Sequence, residues 1–203
     1  ERVASAIERA IVHPESPRIA SEAIEAVQAV TRLKREGVLG GHDAVSLARR
    51  IARDLGLTEA ETDLLGYVTS IHDLGMSGVE GRQLAEPLDS RAVAALERHP
   101  EVSLEILRPL EYLVQVREIV LGHHERWDGT GYPRALSGEA IPLGSRILAV
   151  VDAYDSMTRG RPYRAPRTGP AALAELKLQS GKQFDPRVVE ALSRVIERDG
   201  VNS

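Results

Sequence analysis

Residues 58–75 read TEAETDLLGYVTSIHDLG, and both the architecture and the chemistry of the chain can be approached from them. Thr58 and Glu61 have the spacing of a capping box, in which hydroxyl and carboxylate each satisfy a backbone N–H that the first helical turn leaves unpaired. Leu64, Leu65, Val68 and Ile71 then recur at helical spacing and form one apolar face, which predicts a helix reaching about Leu74 with Gly75 as its stop. His72 follows Val68 by four residues and so lies on the buried face, with Asp73 beside it. A lone imidazole there needs only a hydrogen-bond partner. A carboxylate next to it is costly to desolvate unless it is paired or bound to a cation, and a cation would serve both groups.

Helical spacing extends in both directions. Aromatic residues are 3% of the 203, while Ala, Leu, Glu and Arg recur three and four apart, so the expected class is all-α. Upstream, Ala44, Leu47, Ala48, Ile51 and Leu55 describe a buried stripe from His42 to Leu55 that Gly56 ends. Before it, a helix with Val3, Ile7, Ala10 and Ile11 stops at His13-Pro14, and a second runs from about Arg18 to Glu36 before Gly37. Residues 1–40 are thus read as an N-terminal helical segment in front of a domain formed by 41–203. It serves as a signalling linker, as a homodimer contact, or as ordinary packing helices. Downstream, Asp89 or Ser90 caps a helix that His99-Pro100 interrupts, and further helices are expected over Pro100 to Leu107 and about Glu111 to His124. Residues 76–88 and 127–144, punctuated by glycine and proline, predict loops. A helix near Ser145 to Thr158, an arginine-rich loop and two terminal helices follow, the last opened by Asp185-Pro186.

Composition narrows the chemistry. Lys and Arg number 26 against 30 Asp and Glu, a net of -4, which argues against a binder of genomic nucleic acid that relies on a basic surface. Cysteine is absent, which removes disulfides, thiolate metal sites and cysteine nucleophiles together and leaves His, Asp and Glu as metal ligands. Apolar runs such as Ile147 to Val151 fall far short of the ~20 residues a spanning helix needs, so no membrane contact is expected. With no basic-then-apolar leader and an opening at Glu1, the expectation is a cytoplasmic piece of a longer protein.

Three further places carry candidate ligands. His123 and His124 are adjacent, and neighbours in a helix point about 100° apart, so they can grip one ion only where the helix ends. The run HHERWDGTGYP (123–133) supplies such an end, although a solvated pair would look the same. Asp152, set behind the apolar run ILAVV (147–151), is either half of a buried ion pair or a ligand. His42 and His99 stand near predicted helix ends. Five of the six histidines and two aspartates thus form a nitrogen and oxygen donor set that suits iron, manganese, nickel or zinc. Seven ligands exceed the needs of one ion. Two ions sharing a carboxylate, about 3.5–4 Å apart, suit in-line attack on phosphorus.

The ordered set His42, His72-Asp73, His99, His123-His124 and Asp152 resembles the HD-GYP family over roughly Gly41 to Val189. HHERWDGTGYP is that family's signature run, and ILAVVDAYDSMTRGRPYR and GKQFDPRVVEAL resemble its later segments. The resemblance implies an HD-type helical bundle with an N-terminal helical extension. It also implies hydrolysis of cyclic di-GMP to pGpG or on to GMP in bacterial second-messenger signalling. Position by position, His42, His72, Asp73 and Asp152 would hold one divalent metal ion, and Asp73 would bridge to a second held by His99, His123 and His124. Iron or manganese is favoured over nickel or zinc. His72 and Asp73 are then the catalytic pair, with Asp73 as a bridge and not a base. Arg161 and Arg164 in the RPYR run fall at family positions that hold the dinucleotide's phosphates or guanines; in the GYP loop, Gly131 lets backbone approach a ligand and Tyr132 can offer a ring face and hydroxyl, and in the family that loop also serves contacts to signalling partner proteins.

Two departures from the family pattern matter. Where members read HDIGK, this chain has His72-Asp73-Leu74-Gly75-Met76, so the lysine that touches the scissile phosphate is replaced by Met76. Losing one such group costs on the order of 2.7–4 kcal/mol, or ~10²–10³ in rate, which implies slow turnover or, alternatively, a receptor that binds cyclic di-GMP without cleaving it. Val38 stands where members with a third metal carry Glu, so two metals are expected.

Overall fold

The computed structural model describes residues 42–78, 90–107, 114–159 and 165–201. The helices expected within 1–40, and with them Val38, lie outside the described residues, as do Arg161 and Arg164. Among the described residues the chain forms α1 (His42–Asp54), α2 (Glu59–Ile71), a 3-10 turn (Leu74–Gly78), α3 (Ser90–Ile106), α4 (Val114–Gly122), a second 3-10 turn (Gly138–Ala140), α5 (Leu143–Arg159), α6 (Gly169–Leu178) and α7 (Pro186–Val201), with no strand. The all-α class stands.

The bundle is assembled around α5. Ile147, Leu148, Val150 and Val151 are fully buried, because α1, α2, α4, α6 and α7 all pack against this helix. An apolar run that covers the helix on most sides is the pattern of a central element, and each such side chain contributes roughly 1.5–3 kcal/mol on burial. α1 presents Ala44, Ala48, Ile51 and Ala52 to the core and closes at Gly56, whose φ of +82° a side chain would resist. α2 begins with the expected capping box: Thr58 N donates to Glu61 Oε2 at 2.8 Å and Glu61 N to Thr58 Oγ1 at 3.3 Å. α7 begins at Pro186, with Arg187 N donating to Asp185 Oδ1 at 2.8 Å.

Three boundaries differ from the sequence reading. α2 ends at Ile71 and not at Leu74, because the chain leaves the helix to bond with α3: Ser103 Oγ donates to His72 O and accepts from Gly75 N, both at 2.8 Å. Gly75 is accordingly no left-handed stop. A Cβ there would run into His99 O and Ser103 N, so its role is close approach of two backbones. α3 passes through Pro100 without interruption. Proline removes the N–H that would bond to Leu96 O, and His99 Nδ1 takes that carbonyl instead. α5 starts at Leu143, slightly ahead of Ser145, and the loop before it holds the 3-10 turn Gly138–Ala140. No helix among the described residues is long and apolar enough to cross a membrane.

Candidate metal centre

The ends of α2 and α4, the middle of α3 and the interior of α5 meet at one point. α4 stops at Gly122, so His123 and His124 follow where the backbone is free of helical constraint, as their adjacency requires. His99 corrects the sequence reading, since it sits inside α3 and not near a helix end. His72 is the C-cap of α2, and Asp152 lies within α5.

Three of the four imidazoles are aimed by one device. His72 Nδ1 donates to Thr69 O at 2.9 Å, His99 Nδ1 to Leu96 O, and His123 Nδ1 to Val120 O at 2.6 Å, each the carbonyl three residues earlier. Nε2 is thereby left to face inward. Asp73 Oδ1 lies 3.3 Å from His99 Nε2, 3.5 Å from His72 Nε2 and 3.9 Å from His123 Nε2. Asp152 Oδ1 is 3.8 Å from His72 Nε2. Two triads have donor atoms within 4.8 Å of one another, His99 with His123 and His124, and His72 with Asp73 and His123. The structure thus brings together six of the seven sequence-derived ligands. For His42 only the backbone position, the first residue of α1, is described.

Two observations test whether a cation suits the place. His72 Nε2 is buried with no hydrogen-bond partner, although a buried polar atom normally finds one. His99 Nε2 and His123 Nε2 face each other at 3.3 Å while both Nδ1 atoms are engaged by carbonyls, so the two Nε2 atoms converge on one space. A cation in that space would satisfy both. The donors are imidazole and carboxylate, which suits divalent first-row metals.

Without a cation the buried groups perturb one another strongly. Burial opposes charge on His72, but Asp73 and Asp152 outweigh it and push its pKa up to about 9. Burial would raise the Asp73 carboxyl; His72, His99 and His123 overcome this and hold it well below the usual carboxylate range. Burial and the charge on His72 push His123 down to about 4, and burial with His123 and His99 lowers His124.

The GYP loop closes over this cluster. Tyr132 stacks on His124 with ring centroids 5.0 Å apart and planes 24° from parallel. Gly131 is required by the chain's own packing, since a Cβ would strike Arg126 N and lie 2.6 Å from His124 O. Asp128 is engaged within the loop, accepting from Arg126 and from Thr130 N and Oγ1. Glu125, which the sequence reading passed over, is buried and accepts from Arg134 N at 2.7 Å and Leu136 N at 3.0 Å, pinning both ends of the turn. Its signal was a carboxylate between a ligand pair and a glycine-rich loop. Ser103 had no local signal at all, because its partners lie 28 and 31 residues away. Met76 follows the cluster in the 3-10 turn, its N–H donating to Asp73 O at 2.9 Å.

The profile of the HD domain family matches residues 16–188. The chain is 41% identical over 152 residues to a cyclic di-GMP phosphodiesterase response regulator of Xanthomonas campestris pv. campestris, a match that takes in 73% of this chain and 40% of that protein. It is 39% identical over 147 residues to the 3′3′-cGAMP-specific phosphodiesterase 2 of Vibrio cholerae, covering 70% of this chain and 28% of the other. A cyclic di-GMP phosphodiesterase of Thermotoga maritima is 37% identical over 153 residues, covering 73% and 42%. The chain therefore spans less than half the length of each of these relatives. Among solved structures, an HDG"Y"P protein of Bdellovibrio bacteriovorus superposes with a TM-score of 0.65 at 17% identity, over 95% of this chain and 68% of that one. A cyclic GMP-AMP-specific phosphodiesterase of V. cholerae superposes with 0.61 at 21% identity, over 76% and 42%. At these identities the superpositions bear on the fold alone.

Proposed function

The chain belongs to the HD domain family, in the HD-GYP branch, and on that premise we propose that it is a metal-dependent phosphodiesterase that hydrolyses cyclic di-GMP to pGpG or on to GMP. The observation that carries this reading is a single carboxylate oxygen, Asp73 Oδ1, within 4 Å of three inward-facing imidazole nitrogens, one of them buried without a partner. His99, His123 and His124 would hold one divalent ion. His72 and Asp152, with His42, would hold a second, and Asp73 would bridge the two. Iron and manganese fit this donor set, with nickel or zinc less favoured. When bound, such a pair supplies Lewis acidity, acidifying the attacking water and neutralising the phosphate oxygens as charge shifts during displacement.

The protein's own groups do the rest. The backbone carbonyls of Thr69, Leu96 and Val120 fix the imidazoles, so no reorientation accompanies binding of cation or substrate. Burial, with Glu97, Asp73 and Asp152 nearby, pushes Tyr132 up to about 12; its hydroxyl, protonated at neutral pH with or without that shift, would donate toward a phosphate oxygen. Arg161 and Arg164 are proposed to clamp the dinucleotide's phosphates or guanines. The outer face of the GYP loop is left for signalling partners.

Met76 favours a second reading, a receptor that binds the dinucleotide without cleaving it, since a thioether cannot stabilise the anion that a lysine would. One experiment separates the two. Protein loaded anaerobically with iron or manganese and incubated with cyclic di-GMP should yield pGpG or GMP slowly, at a rate that Met76→Lys raises and that His72→Ala or Asp73→Ala abolishes. Full metal occupancy with tight dinucleotide binding and no product over hours would instead establish the receptor.

A further inference from the structure

Beside the metal centre lies a cleft of about 420 Å³, within the range of small-molecule sites. His123, His124 and Asp152 form the end nearest the centre, so the cleft is continuous with the ligands themselves. Its apolar lining is Ala149, Ala153 and Met157 from α5, and Phe184 from the turn before α7. Besides the candidate ligands and Glu125, Arg126 and Ser156, its polar lining comes from α6 and the turn after it, through Glu175, Gln179 and Gln183. Apolar side chains beside hydrogen-bonding amides suit a heterocyclic base, whose faces are apolar and whose edge carries donors and acceptors.

The state of the polar side chains narrows the assignment. Arg126 also reaches the cleft, but its guanidinium is engaged by Asp128 and Thr130. Glu175 is paired with Arg167 at 3.1 Å. The Gln179 amide reaches only Glu175 Oε1, at the limiting distance of 3.5 Å, and among the described residues the Gln183 amide has no hydrogen-bond partner, although its backbone carbonyl accepts from Trp127 N. Each amide offers a donor and an acceptor in one plane, the geometry that reads a base edge.

We propose that this cleft, between α5 and α6, is a nucleobase subsite: one purine of the cyclic dinucleotide lies against Ala149, Ala153, Met157 and Phe184, and Gln179 and Gln183 read its edge. This rests on the phosphodiesterase reading for the identity of the ligand, and it adds the residues that choose among dinucleotides.

The test is calorimetric binding of cyclic di-GMP to the full, manganese-loaded chain, with Gln179→Ala, Gln183→Ala and the double variant, alongside product formation by the parent protein. Each single variant is expected to weaken dinucleotide binding about ten-fold, and the double variant more. Manganese content, melting temperature and affinity for inorganic phosphate, which has no base, should stay at the parent level. A double variant that binds cyclic di-GMP within about two-fold of the parent overturns the subsite. A parent protein that does not bind cyclic di-GMP at all overturns it too. If the parent binds but forms no product, and the variants bind more weakly, the subsite stands while the phosphodiesterase reading falls.

Discussion

Each of three imidazoles, those of His72, His99 and His123, spends Nδ1 on the carbonyl three residues earlier and turns Nε2 toward Asp73. His72 and His123 nonetheless diverge in protonation, because His72 also faces Asp152 while His123 is surrounded by other imidazoles. His72 is raised from 6.5 to about 9, so in metal-free protein its contribution to stability is complete below about pH 6.5 and is lost as the pH rises through 9. His123 is lowered from 6.5 to about 4, so the unfolded chain binds its proton first, and stability falls as the pH drops from 6.5 toward 4. Metal-free protein is therefore expected to melt highest near neutral pH and lower on both sides, as thermal scans from pH 4 to 9 would record. If His72 is a ligand as proposed, a divalent cation would replace its proton, so cation affinity should rise with pH up to about 9, and added manganese should remove the alkaline limb of the melting curve. A melting temperature that climbs steadily from pH 6.5 to 9 without metal would contradict the His72 environment described here.

Among the elements, α3 shows where local signals mislead. His99-Pro100 reads as a helix boundary because a residue before proline avoids helical geometry, yet the helix continues. The freed Leu96 carbonyl is then the acceptor that orients His99. Replacing Pro100 by Ala restores the competing N–H. Pro100→Ala is expected to stabilise the fold by up to about 3 kcal/mol in denaturant melts. It should also lower cation affinity by ~10–100-fold, because the ring loses its anchor. Stability and affinity moving in the same direction would sink this account of the proline. The boundary of α2 failed for a related reason, since Ser103 draws His72 O and Gly75 N out of the helix and no spacing within residues 58–75 announces a partner on α3. Helix interiors were legible where periodicity rules, as with Ile51, Val68 and Ile147. Helix ends that serve the centre were not.

At the scale of the whole molecule, α5 brings the partly exposed Asp152 to the imidazole cluster and also anchors the loop that closes over that cluster. Arg146 Nη1 pairs with the fully buried Asp185 at 2.7 Å and lies over the Trp127 ring, while Trp127 N and Asp128 N bond to Gln183 O and Lys182 O. Removing one partner of such a pair strands the other. Asp185→Ala, which also deletes the α7 cap, is expected to cost about 3–5 kcal/mol in denaturant melts. A loss below about 1 kcal/mol would mean that the pair is no more than a surface bridge. The candidate site was largely legible because its donors are chemically distinctive: imidazoles and acids in apolar runs, with no cysteine to compete. Glu125 escaped notice because its partners are backbone N–H groups, which every residue but proline carries. The proposed phosphodiesterase requires that six donors from four helical segments enclose a pair of cations. Crystals of manganese-loaded protein, measured at the manganese absorption edge, test this most directly. Two anomalous peaks about 3.5–4 Å apart are expected, one touching His99, His123 and His124 and both touching Asp73. A single peak, or none among these residues in a protein otherwise folded as described, would contradict it.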